Sequence, residues 1–493
     1  MATTIAVSTK HPEYVRLAPR WQEVDHVVDS TVKEAGELYL PMPGKAPTPQ
    51  GLSEKALTAW QNQYSGSIER YKQYLKRALF YNFTKRTLDA VLGGIYRKAP
   101  SIELPAALQY LLTNADGAGV TLVQQSKDAT EWLYRHGRCG LLVDMPPANG
   151  AVSVADNLSG KQVPRIAAYS AHDIINWHTR RVGSGVITDM VVLREPYEKQ
   201  EDAFTFQVHY QYRVLRLDAA GLYVQEVYRD EALVESFEPL EAGKRMPFIP
   251  FFWGGARNND FTPDESPIYD LAHANLGHYR NSADLEESSF ILSQPTPVVA
   301  PGKGMSGPQW NEANPLGIKV GANYGVNVGE GGNMFLLQAD ANNLARELMK
   351  DKEAQAIMLG AQLITTASNQ TAEAARYQAS ADSSVMATIA ENVSAMYASA
   401  LRQCARFVGA NPDEVVFALS KEFYMQQMTA QDAQQWMAAV LAGLLPATLF
   451  YQAARRGGWV PEQWTDEDIQ NQLEVEGRTD LSSGIGGATG AAE

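Results

Sequence analysis

Two helix-forming segments enclose a stretch that does not favour helix, and this order strongly constrains the fold. Residues 267–293 have the spacing of a long helix, with Pro267 in a first turn, where proline is tolerated. At about 1.5 Å per residue such a helix reaches roughly 40 Å. Residues 294–338 are rich in Pro, Gly and Asn, and Asp340 is expected to cap a second helix that ends near Leu363. The pattern predicts two long helices joined by a small β-containing insertion.

A two-residue alternation of apolar and polar residues predicts the sheet. The alternation runs over 204–214 and is typical of a half-buried strand. Residues 222–228 follow a Gly-containing turn and are the predicted partner strand, while 186–193 and 140–143 are further strand candidates. Before these strands, apolar residues recur at helical spacing over 53–100. The chain is therefore predicted to be mixed α+β with an antiparallel sheet.

The ends of the chain carry weaker signals of packed structure. Residues 1–52 include the proline-rich run 41–49, which excludes helix there and predicts an extended arm. A long helix is predicted over 371–408, and shorter helices over 412–476. The Gly-, Ser- and Ala-rich residues from 477 onward predict a disordered tail.

Composition excludes several classes of protein. The 493 residues include 42 basic and 56 acidic ones, and the net charge of −14 argues against a surface built to cover nucleic acid. Cys139 and Cys404 are too few for a disulfide scaffold and suit a reducing compartment. Residues 433–454 lack charge over the length of a membrane span, but Gly443 and Pro446 predict two buried helices around a turn. No signal peptide and no membrane segment are expected.

The sequence offers no convincing catalytic or cofactor-binding motif. It lacks the GxxxxGK[ST] phosphate loop, the HExxH zinc motif, the GxSxG elbow and the EF-hand loop. His273 and His278 are five residues apart on a predicted helix, so they do not share a face as metal ligands would. A hydrolase with paired carboxylates stays open, because spacing alone does not select such a pair. We expect a protein that is not an enzyme and holds no metal or cofactor.

Residues 69–98 form a basic segment in an otherwise acidic chain. Eight Lys and Arg residues stand against Glu69 and Asp89, which leaves a local charge of +6, and aromatic residues lie between them. This pattern fits a contact with nucleic acid or with an acidic protein. It also fits a solvated helix face that covers an aromatic core.

Several local strings, in their order along the chain, resemble the portal proteins of tailed bacteriophages. The similarity covers roughly residues 55–460. The strings that carry it are Tyr74–Asn82, Arg97–Pro100, Gly137–Asp144, Pro247–Phe251, Ser266–Ala272, Asn275, His278–Arg280, Ser282–Asp284, Gly360–Ala361 and Thr371–Ala372. The N-terminal residues and the glycine-rich end lie outside the similarity.

The resemblance implies an α+β portal fold, usually assembled as a dodecameric ring around a DNA channel. Under this interpretation the chain consists of an arm (1–52), a wing of helices and antiparallel sheet (53–265), a first stem helix (266–293), a clip (294–339), a second stem helix (340–363), a channel loop with a long wing helix (364–411), a helical crown (412–476) and a tail (477–493).

The resemblance also implies which residues meet DNA and which meet partner proteins. The candidate DNA-channel residues are Thr365, Thr366, Ser368, Asn369 and Gln370 in an uncharged loop, with Lys350 and Lys352 on the preceding helix. The candidate partner-binding residues of the clip are Pro295, Pro297, Lys303 and Lys319. An acidic channel suits sliding DNA, because each neutralised phosphate would add affinity.

The implied partners are further copies of the chain, the major capsid protein, the large terminase subunit, a head–tail adaptor and double-stranded DNA bound without sequence specificity. The implied location is a capsid vertex of a virion that assembles in the bacterial cytoplasm. Two alternatives stay open at this stage: another virion or scaffold protein without a channel, and the hydrolase with paired carboxylates.

Overall fold

A computed structural model describes eleven parts of the chain and supports the mixed α+β prediction. The described residues are 6–42, 68–145, 163–292, 296–315, 328–337, 344–360, 372–421, 430–442, 444–456, 460 and 464–475. The contacts divide the chain into two compact units. The first comprises 1–93 and 100–418, and the second comprises 94–99 and 419–493.

Two antiparallel sheets organise the first unit. The larger sheet contains five strands in sequential order: β4 (Ile174–Val182), β5 (Gly185–Gln200), β6 (Phe206–Leu217), β7 (Tyr223–Arg229) and β8 (Ala232–Phe237). The smaller sheet has the order β11 (Phe251–Gly255), β2 (Arg138–Asp144) and β3 (Arg165–Ser170). The strands predicted at 140–143, 186–193, 204–214 and 222–228 are confirmed as β2, β5, β6 and β7.

Three further strand pairs are short and also antiparallel. They are β1 (Ser101–Glu103) with β14 (Val416–Ala418), β9 (Leu240–Glu241) with β10 (Lys244–Arg245), and β12 (Thr296–Ala300) with β13 (Asn333–Leu337). The prediction that 412–476 is helical is wrong at its start. Residues 416–418 form β14, and their backbone groups pair with β1 in the first unit.

The described helices include the two that the sequence predicted on either side of the insertion and the long one predicted over 371–408. They are α1 (Pro12–Val28), α2 (68–77), α3 (Phe83–Ile95), α4 (Leu122–His136), α5 (Tyr269–Leu292), α6 (Gly307–Ala313), α7 (Leu344–Met358) and α8 (Ala372–Phe407). Short 3-10 turns occupy Gly36–Leu38, Ala106–Leu112 and Pro412–Glu414. Among the described residues, no helix combines the length and hydrophobicity that crossing a membrane requires.

Helix α1 belongs to the core, which corrects the predicted extended arm over 1–52. Tyr14, Leu17 and Trp21 are at most 3% exposed and pack with residues of both main sheets. Their spacing of three and four residues places them on one helix face. His11 begins the helix, since its Nδ1 accepts the N–H of Glu13 at 3.1 Å. The proline-rich run 41–49 misled the prediction because it lies beyond this helix, and residues 43–49 are outside the described part.

A buried arginine fills the space between two tryptophans in the same core. The guanidinium of Arg138 lies 3.8 Å from the ring centre of Trp177 and 4.2 Å from that of Trp253. His11 stacks on the other face of Trp177 at 3.8 Å between ring centres. Burial lowers the pKa of Arg138 to about 9. Cation–π contact therefore stabilises a charge that the core would otherwise disfavour.

In its described part, the second unit contains three short helices: α9 (Ala430–Leu441), α10 (Ala447–Arg456) and α11 (Asp466–Val475). Arg455 forms an ion pair with Asp466 and so connects α10 to α11. The two helices predicted within 433–454 are present as α9 and α10. The prediction that they are buried is wrong in part, because Met437 on α9 is 39% exposed and Leu449 on α10 is 38% exposed.

Candidate channel, partner and metal-ligating residues

Helices α5 and α7 pack against each other in antiparallel directions. Leu271 near the start of α5 packs on Ala356 near the end of α7. Gly277, further along α5, faces Lys352, which lies earlier in α7. A Cβ at Gly277 would stand 3.2 Å from Lys352 Cε, so the missing side chain allows this close approach. The two helices therefore run side by side from the insertion back to the body of the unit.

The opposite side of α5 is covered by the chain around α2 and α3. Asn275 is fully buried, and its Nδ2 donates to the carbonyl of Tyr81 at 2.9 Å. Its Oδ1 accepts from Thr84 Oγ1 at 3.0 Å. Tyr74 donates its hydroxyl to Asp284 Oδ1 at 2.7 Å, and burial together with this bond raises the pKa of Tyr74. These hydrogen bonds hold α5 against the chain around α2 and α3.

Part of the charge of the basic segment 69–98 is paired with acidic residues of the same chain. Arg70 and Arg77 both form ion pairs with Glu287 on α5. The guanidinium of Arg77 also lies 4.0 Å from the ring centre of Phe290. Another base pairs within its own helix, since Lys85 Nζ lies 2.8 Å from Asp89 Oδ1. These contacts favour the interpretation of a packed helical face over that of a nucleic-acid surface.

The outer side of α7 presents apolar residues to solvent. Leu344 is 59% exposed, Leu348 is 41% exposed and Met358 is 75% exposed, with Leu359 just beyond the helix at 46%. Leu344 and Leu348 are one helical turn apart, so they lie on the same face. An exposed apolar face of this kind is typical of a surface that takes part in protein contacts.

The predicted channel lysines lie on α7, in different surroundings. Lys350 is exposed, whereas Lys352 rests its methylenes on Gly277 and donates from Nζ to Gln355 Oε1 at 3.0 Å. Neither lysine forms an ion pair with a described carboxylate, although Glu347, Asp351 and Glu353 are close in sequence. The other predicted channel residues, Thr365, Thr366, Ser368, Asn369 and Gln370, lie outside the described residues.

The insertion between α5 and α7 contains two of the four predicted partner-binding residues in its described part. Pro297 lies in β12, opposite Leu336 of β13. Lys303 is exposed in the following turn, where its backbone N–H donates to the carbonyl of Glu330 at 3.0 Å. Pro295 and Lys319 lie outside the described residues.

Helix α6 provides the insertion with a buried anchor. Trp310 is 6% exposed, and Ser306 caps the helix together with Gln309. The backbone N–H of Gly302 donates to the carbonyl of Val328 at 2.8 Å. The described parts of the insertion are therefore held together by their own contacts.

Side chains from three distant parts of the first unit form a polar cluster, defined here as Asp25, His136, His172 and Arg135. Asp25 Oδ1 lies 2.8 Å from His136 Nε2, and Asp25 Oδ2 lies 2.7 Å from His172 Nε2. Arg135 Nε donates to Asp25 Oδ1 at 2.9 Å. Sequence reasoning missed this cluster, because no motif relates positions 25, 136 and 172.

Protonation in the cluster follows from burial and from its hydrogen bonds. Burial by itself would raise the pKa of Asp25, but hydrogen bonds from His136 and His172 and the charge of Arg135 hold that pKa well below its usual range. Burial lowers the pKa of His136 and outweighs the opposing influence of Asp25. At neutral pH, Asp25 is therefore an anion and His136 a neutral imidazole.

Comparison with known proteins gives one family match and several distant structural ones. Residues 267–408, less than half of the chain, match a family model described as a domain of unknown function (DUF4055). This range begins just before α5 and ends just after α8, so it includes the helix pair and its insertion. No curated protein matches.

Three solved structures align with the chain at low similarity. The neck of a native gene transfer agent particle, computed with C12 symmetry, aligns at 13% identity over 75% of this chain and 88% of that chain, with a TM-score of 0.39. The virion of the native particle aligns at 12% identity over 85% of this chain and 97% of that chain, with a TM-score of 0.41. The neck of the empty particle, computed with C6 symmetry, aligns at 12% identity over 76% of this chain and 88% of that chain, with a TM-score of 0.40. TM-scores of this size carry no argument about this chain.

Proposed function

We propose that the chain is the portal protein of a tailed-phage-like particle. Many copies form a closed ring at one capsid vertex, and double-stranded DNA passes through its centre during packaging and ejection. The ring acts as a structural channel and docking platform without catalysing a reaction. The observation that carries this proposal is the antiparallel pair α5–α7, which encloses a folded insertion and leaves an apolar face of α7 uncovered.

The exposed face of α7 explains why the chain assembles. Helix α5 is covered on several sides within one chain, whereas α7 contacts its own chain mainly through residues such as Lys352 and Ala356. The side chains of Leu344, Leu348 and Met358 are 59%, 41% and 75% exposed. A contact between this face and a different face of the next copy is heterologous, and repetition by a fixed rotation closes a ring.

The insertion provides the docking site for partners in this proposal. It lies at the far end of the helix pair and exposes Lys303 beside the β12–β13 hairpin. The large terminase subunit binds there during packaging, and a head–tail adaptor binds there afterwards. The major capsid protein contacts other parts of the ring. Residues 365–370 line the channel, where uncharged polar groups touch phosphates without adding counterion-release affinity.

The assembly state tests the proposal directly. We expect the purified chain to form closed rings at micromolar concentration, as measured by native mass spectrometry and by negative-stain electron microscopy. A sample that contains only the 54.1 kDa chain would contradict the portal function. An open or irregular assembly would instead support the alternative of another virion or scaffold protein.

A second prediction concerns the channel. Replacing Asn369 and Gln370 by Asp places two new anionic rings against the DNA, because every subunit repeats both changes. We expect packaging to slow on the order of tenfold while the mass of the ring stays unchanged. The measurement is DNA packaged per particle with time in a reconstituted reaction.

The matched control for the channel prediction is Gln207→Asp, which adds an acid at the exposed end of β6. This control variant should package DNA at the wild-type rate. A normal rate in the Asn369→Asp, Gln370→Asp variant would remove these residues from the channel.

A further inference from the structure

We propose that Asp25, His136 and His172 bind a divalent transition-metal ion of the Zn²⁺ class. One carboxylate oxygen and two imidazole nitrogens, one ligand atom from each residue, lie within 4.8 Å of one another. Each imidazole directs its Nε2 toward the same carboxylate. An ion bound between the carboxylate and the two imidazoles would replace both hydrogen bonds, and small side-chain shifts would bring the three donors to coordination distance.

The three residues are held in place by different elements. Asp25 lies on α1, His136 is the last residue of α4, and His172 lies in the turn between β3 and β4. The carbonyl of His172 accepts the hydroxyl of Tyr14 at 3.2 Å. Trp21 meets both imidazoles edge-on, with ring centres 6.2 Å from His136 and 5.6 Å from His172. The donors are therefore oriented before any ion arrives.

The donor set selects the class of metal. Two imidazoles and one carboxylate suit Zn²⁺, Co²⁺ and Ni²⁺, whereas Mg²⁺ and Ca²⁺ prefer oxygen ligands alone. Coordination through both Nε2 atoms displaces their hydrogens, so metal binding competes with the two hydrogen bonds to Asp25. The side chains of Asp25 and His172 are 21% and 27% exposed, so an ion can enter from solvent and water can complete its coordination.

The surrounding charges also favour a divalent cation. Arg135 faces three carboxylates, those of Asp25, Asp29 and Glu131, which leaves a net charge of −2. Its guanidinium lies 2.7 Å from Asp29 Oδ2 and 3.1 Å from Glu131 Oε1. Arg135 can therefore release Asp25 to a metal and still keep two ion pairs.

One feature limits the affinity of the site. His136 Nδ1 is buried and has no hydrogen-bond partner among the described residues. When Nε2 coordinates a metal, the proton moves to Nδ1, where no acceptor meets it. The site is therefore weaker than a zinc site whose histidines each have a second hydrogen bond. Metal binding connects α1 to α4 and to the β3–β4 turn, and so it stabilises the folded chain.

The test uses the full-length, untagged chain after removal of metals with EDTA. We expect Co²⁺ to produce visible d–d absorption that saturates at one ion per chain. We expect excess Zn²⁺ to raise the melting temperature by about 5 °C, and Mg²⁺ to leave it unchanged. Absence of the Co²⁺ spectrum, or an equal shift with Mg²⁺, would overturn the proposal.

The decisive variant is His172→Gln. A glutamine amide can still donate to Asp25 Oδ2, but it does not replace the imidazole ligand, so the Zn²⁺-dependent shift should disappear. The matched control is His178→Gln. It alters an exposed pair in which His178 Nδ1 lies 2.7 Å from Asp189 Oδ1, and it should keep the full shift. A Zn²⁺ response that survives in His172→Gln overturns the site. If that variant does not fold, the wild-type Co²⁺ spectrum decides.

Discussion

Replacing Leu344 and Leu348 by glutamate is expected to convert the proposed ring into single chains. Both side chains are exposed on one face of α7, at 59% and 41%, and assembly would bury them. Each glutamate would then enter an apolar contact without a partner charge, at a cost of several kcal/mol per buried ion. Because the contact repeats around the ring, every interface carries the same penalty. Analytical ultracentrifugation should show the 54.1 kDa species.

The matched control for the α7 variant changes two exposed valines on other helices. Val15 on α1 is 58% exposed and Val123 on α4 is 38% exposed. Their replacement by glutamate adds the same charge to the chain and should leave the ring intact. Intact rings in the Leu344→Glu, Leu348→Glu variant would show that the apolar face of α7 is not a subunit contact.

Replacing Trp21 by alanine is expected to lower the free energy of unfolding by about 3–5 kcal/mol. Trp21 is 1% exposed and packs with Tyr14, Leu17 and the two histidines of the polar cluster. Alanine leaves a cavity between α1 and the sheets, which the surrounding backbone cannot fully close. Urea unfolding of the wild type and the variant at the same protein concentration measures the change, because both samples then carry the same contribution from assembly.

The control for the Trp21 variant is Trp464→Ala, because Trp464 is 37% exposed in the second unit. Its backbone carbonyl accepts from Arg455, and the substitution retains that contact. We expect a change well below that of Trp21→Ala. A loss of less than about 1 kcal/mol in Trp21→Ala would show that α1 is peripheral and would restore the interpretation of an N-terminal arm.

Local pattern predicted the strands well, where one face of a strand is buried and the other is not. The alternation over 204–214 identifies β6, whose inner end includes Val214 and Leu215 in the core. At the other end of the strand, Phe206 and Val208 are more than half exposed. The alternation is the same at both ends, so it does not predict this difference in burial. The pattern predicts that a strand forms, but the neighbouring strands and helices determine how much of that strand is buried.

Helix α4 shows why local pattern missed other elements. Three of its buried positions are Gln125, Ser126 and Thr130, so an apolar stripe is weak in the sequence. Gln125 is acceptable in the core because its Nε2 donates to the carbonyl of Ile166 at 2.7 Å. That carbonyl belongs to β3, and only the fold brings it within reach. Helix α1 was missed for a different reason, since its regular stripe lies close to the proline-rich run 41–49.

The sequence by itself determined the order of the central part: a long helix, a Pro- and Gly-rich insertion and a second helix. Those features depend on spacing and on backbone preferences, which act between residues close together in the chain. The tertiary structure alone decided which face of α7 is left uncovered. It also decided that Asp25, His136 and His172 meet, because their contact depends on how α1, α4 and the β3–β4 turn pack. Side chains from distant segments converge only after packing, so no local pattern could contain them.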